Sequence, residues 1–472
     1  MTNEEHNQVR ASMVDGDPGP VPVAELTDRR HRVLGNLPRD ALVIVGGALP
    51  GPGMRRFRQS NDFYYLTALE VPCAYLVLEV RSEKGTLYLP HRDEERERVE
   101  GPVLACEDAA EIKRSTGLER VAGLERLGPD LASAFRGGPR TVYVPCAPVE
   151  TERVSRDSAL AAAAWTTLDP FKSATAEKPQ LTASLRACFP QLDVHDLSPS
   201  LDAARLRKGE HEIELLRLAA RLCGYAVMEA MRSTKPGIRE CELEAIADFV
   251  FRQGGARGAA YDAIVAGGGN AWYGHHAANE SPLRAGDLVL MDYAPDYGYY
   301  TSDIGRMWPV SGHYEDWQRE LYGFVVEYHH QLLNRIKPGA RADEILAEAA
   351  VAMEKRIEAT SFSKPQYEAA CKAALDFGGH LSHPVGMAVH DVGNYRSGPL
   401  EPGIVFSIDP MIWVPEDRLY IRVEDTVLVT DKGVDNLTGF VPLELDEVEQ
   451  LMRQPGLLDW WTTRETTGST VS

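Results

Sequence analysis

Residues 286–310 read GDLVLMDYAPDYGYYTSDIGRMWPV, and the fold turns on how that stretch is read. "LVLMD" and "YYTSDIGRMW" have strand character, and "APDYG" between them has turn chemistry, so the pattern predicts a hairpin. Asp292 and Asp303 are eleven residues apart in it. A hairpin sets both on one face, where two carboxylates repel unless a cation lies between them. An aspartate pair here therefore points to a metal site.

A second stretch repeats the theme. Residues 405–429, VFSIDPMIWVPEDRLYIRVEDTVLV, carry Asp409 and Glu424 inside strand-like apolar runs. A buried carboxylate is costly without a cation or hydrogen-bonding partner; the alternative is a pair of edge residues facing water. His383, from LSHPVGMAVHDVG at 381–393, joins them. Four carboxylates and one imidazole, with no thiolate, suit hard divalent ions, notably Mn²⁺. Five such ligands suit two ions about 3.5–4 Å apart better than one. Amide hydrolysis is the reaction class such a pair serves.

Outward from these motifs the chain shows an internal echo. STKPGIRECELEAIADFVFRQ at 233–253 resembles RIKPGARADEILAEAAVAMEK at 335–355, an offset of 102 residues. Each is a Lys-Pro-Gly turn leading into a helix. Each is followed by strand-rich sequence holding part of the acidic set. A duplicated α/β unit, its halves facing a shared site, accounts for this. Before it, ALVIVGG (41–47), AYLVLEV (74–80), GTLYLP (85–90) and RTVYVP (140–145) read as strands between helices. The expected organisation is α/β (α+β): a tail at 1–29, an N-terminal domain at 30–197, a pseudo-twofold catalytic domain at 198–456 and a tail at 457–472. The Ser-Pro stretch near 198 reads as a linker to a long amphipathic helix bearing Leu215, Leu218, Ala219 and Cys223 on one face.

Composition narrows the function classes. A formal net charge of −20 argues against nucleic acid and anionic membrane as partners. No run reaches a membrane span, and the first ten residues lack a signal peptide's apolar segment. Seven scattered cysteines without CxxC spacing suggest reduced thiols and a cytoplasmic protein. RDEERERVE at 92–100 reads as a solvated surface segment.

The motifs together resemble the pita-bread metallopeptidases, in particular the aminopeptidase P and prolidase branch. The resemblance covers about 200–450 strongly and 40–190 more weakly, where FRQSNDFYYLT (57–67) is similar to the N-terminal, creatinase-like domain of aminopeptidase P. It implies a peptide substrate with proline in second position, and a homodimer or homotetramer. It also implies roles. Asp292 would chelate one ion, Asp303 and Glu424 would bridge both, and His383 and Asp409 would complete the second. His275, in YGHHAANE (273–280), and His390 would contact the substrate, with His276 a bystander. Arg422, two residues before Glu424, would share its strand face and support an acidic ligand.

One neighbourhood departs from the family. Its usual glutamate is Asp409, Trp413 falls where a tyrosine is expected, and a histidine expected at 379 is displaced to His380 beside Gly379. Three alternatives to an Xaa-Pro aminopeptidase therefore stay open: an Xaa-Pro dipeptidase, a creatinase-like metal-independent hydrolase, and a non-catalytic peptide-binding scaffold.

Overall fold

The computed structural model describes residues 17–51, 56–136, 141–166, 168 and 180–460. The chain divides into two compact units between Arg205 and Leu206. That division falls later than the expected 197/198, because the Ser-Pro stretch is not a linker. Ser198–Leu206 is a helix with Pro199 in its first turn, where a missing N–H costs nothing. Its buried Arg205 pairs with Glu150 at 2.5 Å and with Asp62 of the FRQSNDFYYLT motif at 2.9 Å. The expected N-terminal tail also ends early. Val23–Leu34 is a helix whose Arg29 and Arg30 are buried and donate to the carbonyls of Tyr65 and Leu66. Of the expected C-terminal tail, residues 461–472 lie outside the described residues.

In the N-terminal unit six strands form a mixed sheet among the described residues: β1 (Leu42–Gly46), β2 (Tyr75–Glu79), β3 (Gly85–Leu89), β4 (Arg120–Gly123), β5 (Thr141–Val144) and β6 (Asp193–Asp196). Their order is β4-β3-β2-β1-β5-β6. The outer pairs β3–β4 and β5–β6 are parallel, while β1–β2–β3 is an antiparallel meander. Ile44, Val142 and Val144 sit in its core with Leu131 and Leu185 from neighbouring helices.

The second unit opens with the helices Glu210–Ser233 and Glu240–Gln253, followed by short β7 (Gly258–Ala259), β8 (Ile264–Gly267), β9 (Leu288–Asp292), short β10 (Pro295–Asp296) and β11 (Ile304–Pro309). After three helices come β12 (Leu381–Pro384), β13 (Val405–Ile408), the hairpin β14 (Met411–Val414) and β15 (Leu419–Arg422), then β16 (Glu424–Thr430) and β17 (Gly433–Asn436). The main sheet runs β12-β13-β16-β11-β9-β8, with β17 added beside β16. Three strands of the first half thus meet three of the second across the central pair β11–β16.

The sequence echo has matching backbone counterparts. Gly237 and Gly339, at the two Lys-Pro-Gly turns, both take positive φ, 96° and 85°. The side chains of Glu242 and Glu344 each reach back to the N–H of the residue before their helix, Arg239 at 2.7 Å and Arg341 at 3.4 Å. The helices that follow are Glu240–Gln253 and Ala342–Glu358. In the long helix Glu210–Ser233 the stripe Leu215, Leu218, Ala219 and Cys223 is buried, as its spacing requires.

Candidate metal centre

Every acid of the set sits at a strand end of the main sheet. Asp292 closes β9, Asp303 precedes β11, Asp409 follows β13 and Glu424 opens β16. The predicted hairpin forms, with a register different from the simplest one: Asp292 pairs with Gly305, and Gly305 pairs in turn with Glu424. Directly paired residues share a face, and so do residues two apart in a strand. One cross-strand row therefore carries Asp292, Gly305 and Glu424, with Asp303 one step along.

All four carboxylates are buried, between 2% and 6% exposed. Donor atoms of Asp303, His383 and Glu424 lie within 4.8 Å of one another. His383 Nε2 stands 3.3 Å from Asp303 Oδ2. Asp292 and Asp409 flank this trio through shared partners. Tyr261 places its hydroxyl 2.7 Å from Asp292 and 3.2 Å from Asp303. The Arg422 guanidinium contacts Asp292, and lies 3.2 Å from Glu424 and 3.5 Å from Asp409. Arg422 does not share a strand with Glu424: it ends β15, and Val423 carries the chain over to β16. Its reach comes from the β14–β15 hairpin.

The electrostatics are those of an under-neutralised acidic pocket. Burial, then the neighbouring Glu424 and Asp292 charges, push the Asp303 carboxyl well above its usual range. Burial and Glu424 do the same to Asp409, against the pull of Arg422. Burial works against the Arg422 charge, but Asp409, Asp292 and Glu424 outweigh it and keep the guanidinium protonated. Two buried atoms of the cluster, Asp409 Oδ1 and Arg422 Nε, have no hydrogen-bond partner. An orphaned buried carboxylate oxygen among three other buried acids is the environment a divalent cation satisfies, and the oxygen-rich donor set with one imidazole fits a hard ion.

The histidines separate into distinct groups. His390 stacks near His383, with ring centroids 3.9 Å apart. The neighbouring Asp391 is clamped by buried Lys208 at 3.2 Å, which fixes the loop bearing His390. His275 is exposed on the loop after the turn Gly268–Trp272, and no contact ties it to the carboxylates. His276 lies 3.5 Å from buried Glu240. His380 is fully buried: Nε2 meets the Ala374 carbonyl at 2.6 Å, and the ring packs edge-on against Tyr328 and Phe377. Phe377 in turn packs on Trp413. His380 lies in the bend just before β12 and its ring is committed to this apolar packing, so it does not stand in for a histidine at 379.

Two supports escaped the sequence reading. Tyr261 lies in a small-residue stretch with no periodicity to mark it. Behind Glu424, Asp425 points the other way into a buried network. Arg306 sits 2.6 Å from its carboxylate and donates to the Glu424 carbonyl at 2.5 Å, and His329 lies 2.8 Å from Asp425 on its far side. Burial raises the Asp425 pKa, but Arg306, His329 and Thr438 outweigh it and hold the group below the usual carboxylate range. This network pins β16, and with it Glu424. The signal was available in the dipeptide Glu424-Asp425, since one of two adjacent strand acids must face away from the site.

Comparison with known proteins identifies the family. Residues 214–431 match metallopeptidase family M24, and residues 26–143 match the aminopeptidase P N-terminal domain. The chain belongs to family M24, in its aminopeptidase P branch, and is a hydrolytic peptidase. It is 31% identical over 414 residues to the Xaa-Pro aminopeptidase of Escherichia coli, spanning 84% of this chain and 89% of that protein. It is 30% identical to Xaa-Pro aminopeptidase 3 of Mus musculus over 84% of this chain and 76% of that one. Among solved structures, E. coli aminopeptidase P with the inhibitor Pro-Leu superposes with a TM-score of 0.73 at 27% identity, covering 92% of this chain and 99% of that chain.

Proposed function

We infer that this peptidase is a dinuclear metal-dependent Xaa-Pro aminopeptidase, releasing the first residue of peptides with proline in second position. The observation that carries the reading is the convergence of Asp303, His383 and Glu424, buried, with Asp292 and Asp409 tied to them through Tyr261 and Arg422. The five ligands would hold two divalent ions, with Mn²⁺ favoured by a donor set of four carboxylates and one imidazole. Such ions, when bound, acidify a water and polarise the scissile carbonyl.

The chain's own side chains do the remainder. Arg422 offsets part of the acidic charge and fixes three carboxylates at once. Tyr261 holds Asp292 and Asp303 in a common orientation. His390, beside His383, is assigned to steady the substrate, and His275 to meet it from the exposed loop. Asp409 takes the place of the family's glutamate as ligand and proton acceptor. Proline's tertiary amide has no N–H and a fixed φ, so a pocket shaped for the ring converts that rigidity into selectivity.

Among the described residues no helix is long and apolar enough to cross a membrane. The seven cysteines are free, which supports a reducing compartment such as the cytoplasm. Assembly as a homodimer or homotetramer rests on the family resemblance and is read by light scattering.

The test is mass spectrometry of a peptide panel with Mn²⁺ present. Xaa-Pro-Yaa should lose its first residue, Xaa-Ala-Yaa should react far more slowly, and an acetylated amino terminus should block cleavage. Cleavage of acetylated peptides, or indifference to proline, overturns the assignment. Inertness to the whole panel favours the scaffold reading.

A further inference from the structure

We propose that the N-terminal unit carries a metal site of its own, of zinc type, built from His91, Cys106 and Glu107. It lies outside the catalytic unit and uses no residue of the carboxylate cluster. Among the described residues these three and the catalytic trio are the two groups of His, Cys, Asp and Glu whose donor atoms all lie within 4.8 Å of one another.

The fold brings them together at the carboxyl end of a parallel strand pair. Strands β3 and β4 run side by side, with Leu89 paired to Gly123. His91 follows β3 by two residues, and Glu125 lies in the 3-10 turn Leu124–Arg126 directly after β4. A second 3-10 turn, Cys106–Asp108, is pinned to the same edge by the Cys106 N–H, which donates to the Pro90 carbonyl at 3.0 Å. Ligands favour the carboxyl ends of parallel strands in open α/β sheets.

The donor geometry is specific. His91 Nδ1 lies 2.6 Å from Glu107 Oε1 and 3.1 Å from Cys106 Sγ. Its other nitrogen, Nε2, lies 3.2 Å from Glu125 Oε2. A carboxylate behind the imidazole is how metal-ligating histidines are oriented. Glu107 is aimed in the same manner, since its second oxygen accepts from the Arg92 N–H at 3.1 Å. The Arg92 side chain is engaged elsewhere, with Glu97 at 2.8 Å and Asp108 at 2.6 Å, so it does not neutralise the cluster. One nitrogen, one sulfur and one oxygen form the mixed donor set of Zn²⁺, and exposed His91 leaves room for water in the fourth position. Zinc–ligand lengths put neighbouring donors roughly 3.3–3.7 Å apart, so an opening of under about 1 Å seats the ion.

The segment between the ligands shows what the ion would do. Between His91 and Cys106 lies the helix Glu94–Glu100, which has no buried residue. Within 92–105 only Ala105, next to Cys106, is buried, so the helix itself has no apolar anchor and an ion shared by the two ends would close it into a loop. The role assigned to the ion is to staple this loop.

Cobalt distinguishes this site from the catalytic one, because only a thiolate ligand gives the near-ultraviolet sulfur-to-cobalt charge-transfer band. Chelator-stripped, reduced full-length protein is titrated with Co²⁺. The expected result is a band with the intensity of one thiolate-bound Co²⁺ per chain, complete by three equivalents because the catalytic centre takes two, displaced by Zn²⁺ and absent in Cys106→Ser. His91→Ala should weaken binding at least tenfold, and Glu125→Gln by roughly 10–100-fold. Zn²⁺ should slow proteolysis within 91–106 in the wild type and not in Cys106→Ser, whose peptidase activity should be unchanged. No band, or a band that survives Cys106→Ser, overturns the proposal and leaves the cluster as hydrogen-bonded ion pairs only.

Discussion

Gly305 faces Glu424 across the central strand pair, and a Cβ at 305 would fall 3.0 Å from the Glu424 Cβ and 3.1 Å from Arg422 Nε. The glycine is there for space, since its φ is not in the left-handed region. The Glu424 carboxylate and the Arg422 guanidinium converge on the space it leaves. Gly305→Ala must therefore move Arg422 or Glu424 by a few tenths of an ångström. Overpacking of this kind costs about 1–3 kcal/mol, and small displacements at a reacting centre cost up to about a hundredfold in rate. The variant should fold, with a modestly lower Tm and kcat/KM reduced tenfold or more. A wild-type rate would show that the Arg422–Glu424 geometry is not critical.

Tyr261 reaches both aspartates of the first half. Hydrogen bonds to charged groups contribute about 1.5–3 kcal/mol, so Tyr261→Phe should weaken metal binding by roughly tenfold or more. Asp303→Asn and Glu424→Gln should go further. Each sits in the convergent trio, and loss of either should bring metal content below one ion per chain and abolish turnover. Asp292→Asn should remove mainly one ion. Elemental analysis after reconstitution with Mn²⁺ reads all four variants, and full activity in a strong chelator would end the metal assignment.

Asp409 is the chain's own departure from its family. Its backbone N–H donates to the His380 carbonyl at 2.7 Å, which fixes where the shorter carboxylate begins. Asp409→Asn should abolish hydrolysis, because charge and proton acceptance vanish together. Asp409→Glu should fail to raise kcat, since His380, Phe377 and Trp413 pack in a contiguous cluster that sets the position of this segment. Steady-state kinetics on one Xaa-Pro peptide decides both. An active Asp409→Asn would remove this residue from the ligand set.

How far the sequence reaches is visible at individual residues. The acids at 292, 303, 409 and 424 were legible because a charge in an apolar strand is an anomaly that needs a cause. The duplication was legible because both copies need the same turn, down to a positive-φ glycine at 237 and at 339. Register was not: Asp292 pairs with Gly305 rather than with Asp303, because the eleven residues between β9 and β11 leave several pairings open. Ser198-Pro199 read as a linker because serine and proline also open helices. His380 looked displaced within the site, whereas the bend before β12 commits its ring to packing against Tyr328 and Phe377. Arg422 looked like a strand neighbour of Glu424, and its contacts instead come from a separate hairpin.

His380 carries a pH dependence of its own. Burial pushes its pKa down to about 4, against hydrogen bonds to the Ala374 carbonyl and the backbone beside Asp409. Tyr328 and Phe377 face the ring from either side, and no carboxylate side chain hydrogen-bonds to it. In the unfolded chain the ring titrates near ~6.5. Between these values the unfolded state binds more protons than the folded one, so stability rises with pH there. The contribution is fully present above about pH 6.5 and is lost progressively as pH falls towards about 4. A gap of that size amounts to roughly 3 kcal/mol. Chelator-treated wild type and His380→Gln should be unfolded in urea at several pH values. The variant will be less stable at pH 7, having lost a packed ring, but its stability should fall less steeply between pH 6.5 and 4. Parallel slopes in the two proteins would mean that His380 does not titrate in this range, and that the acid sensitivity belongs to the carboxylates alone.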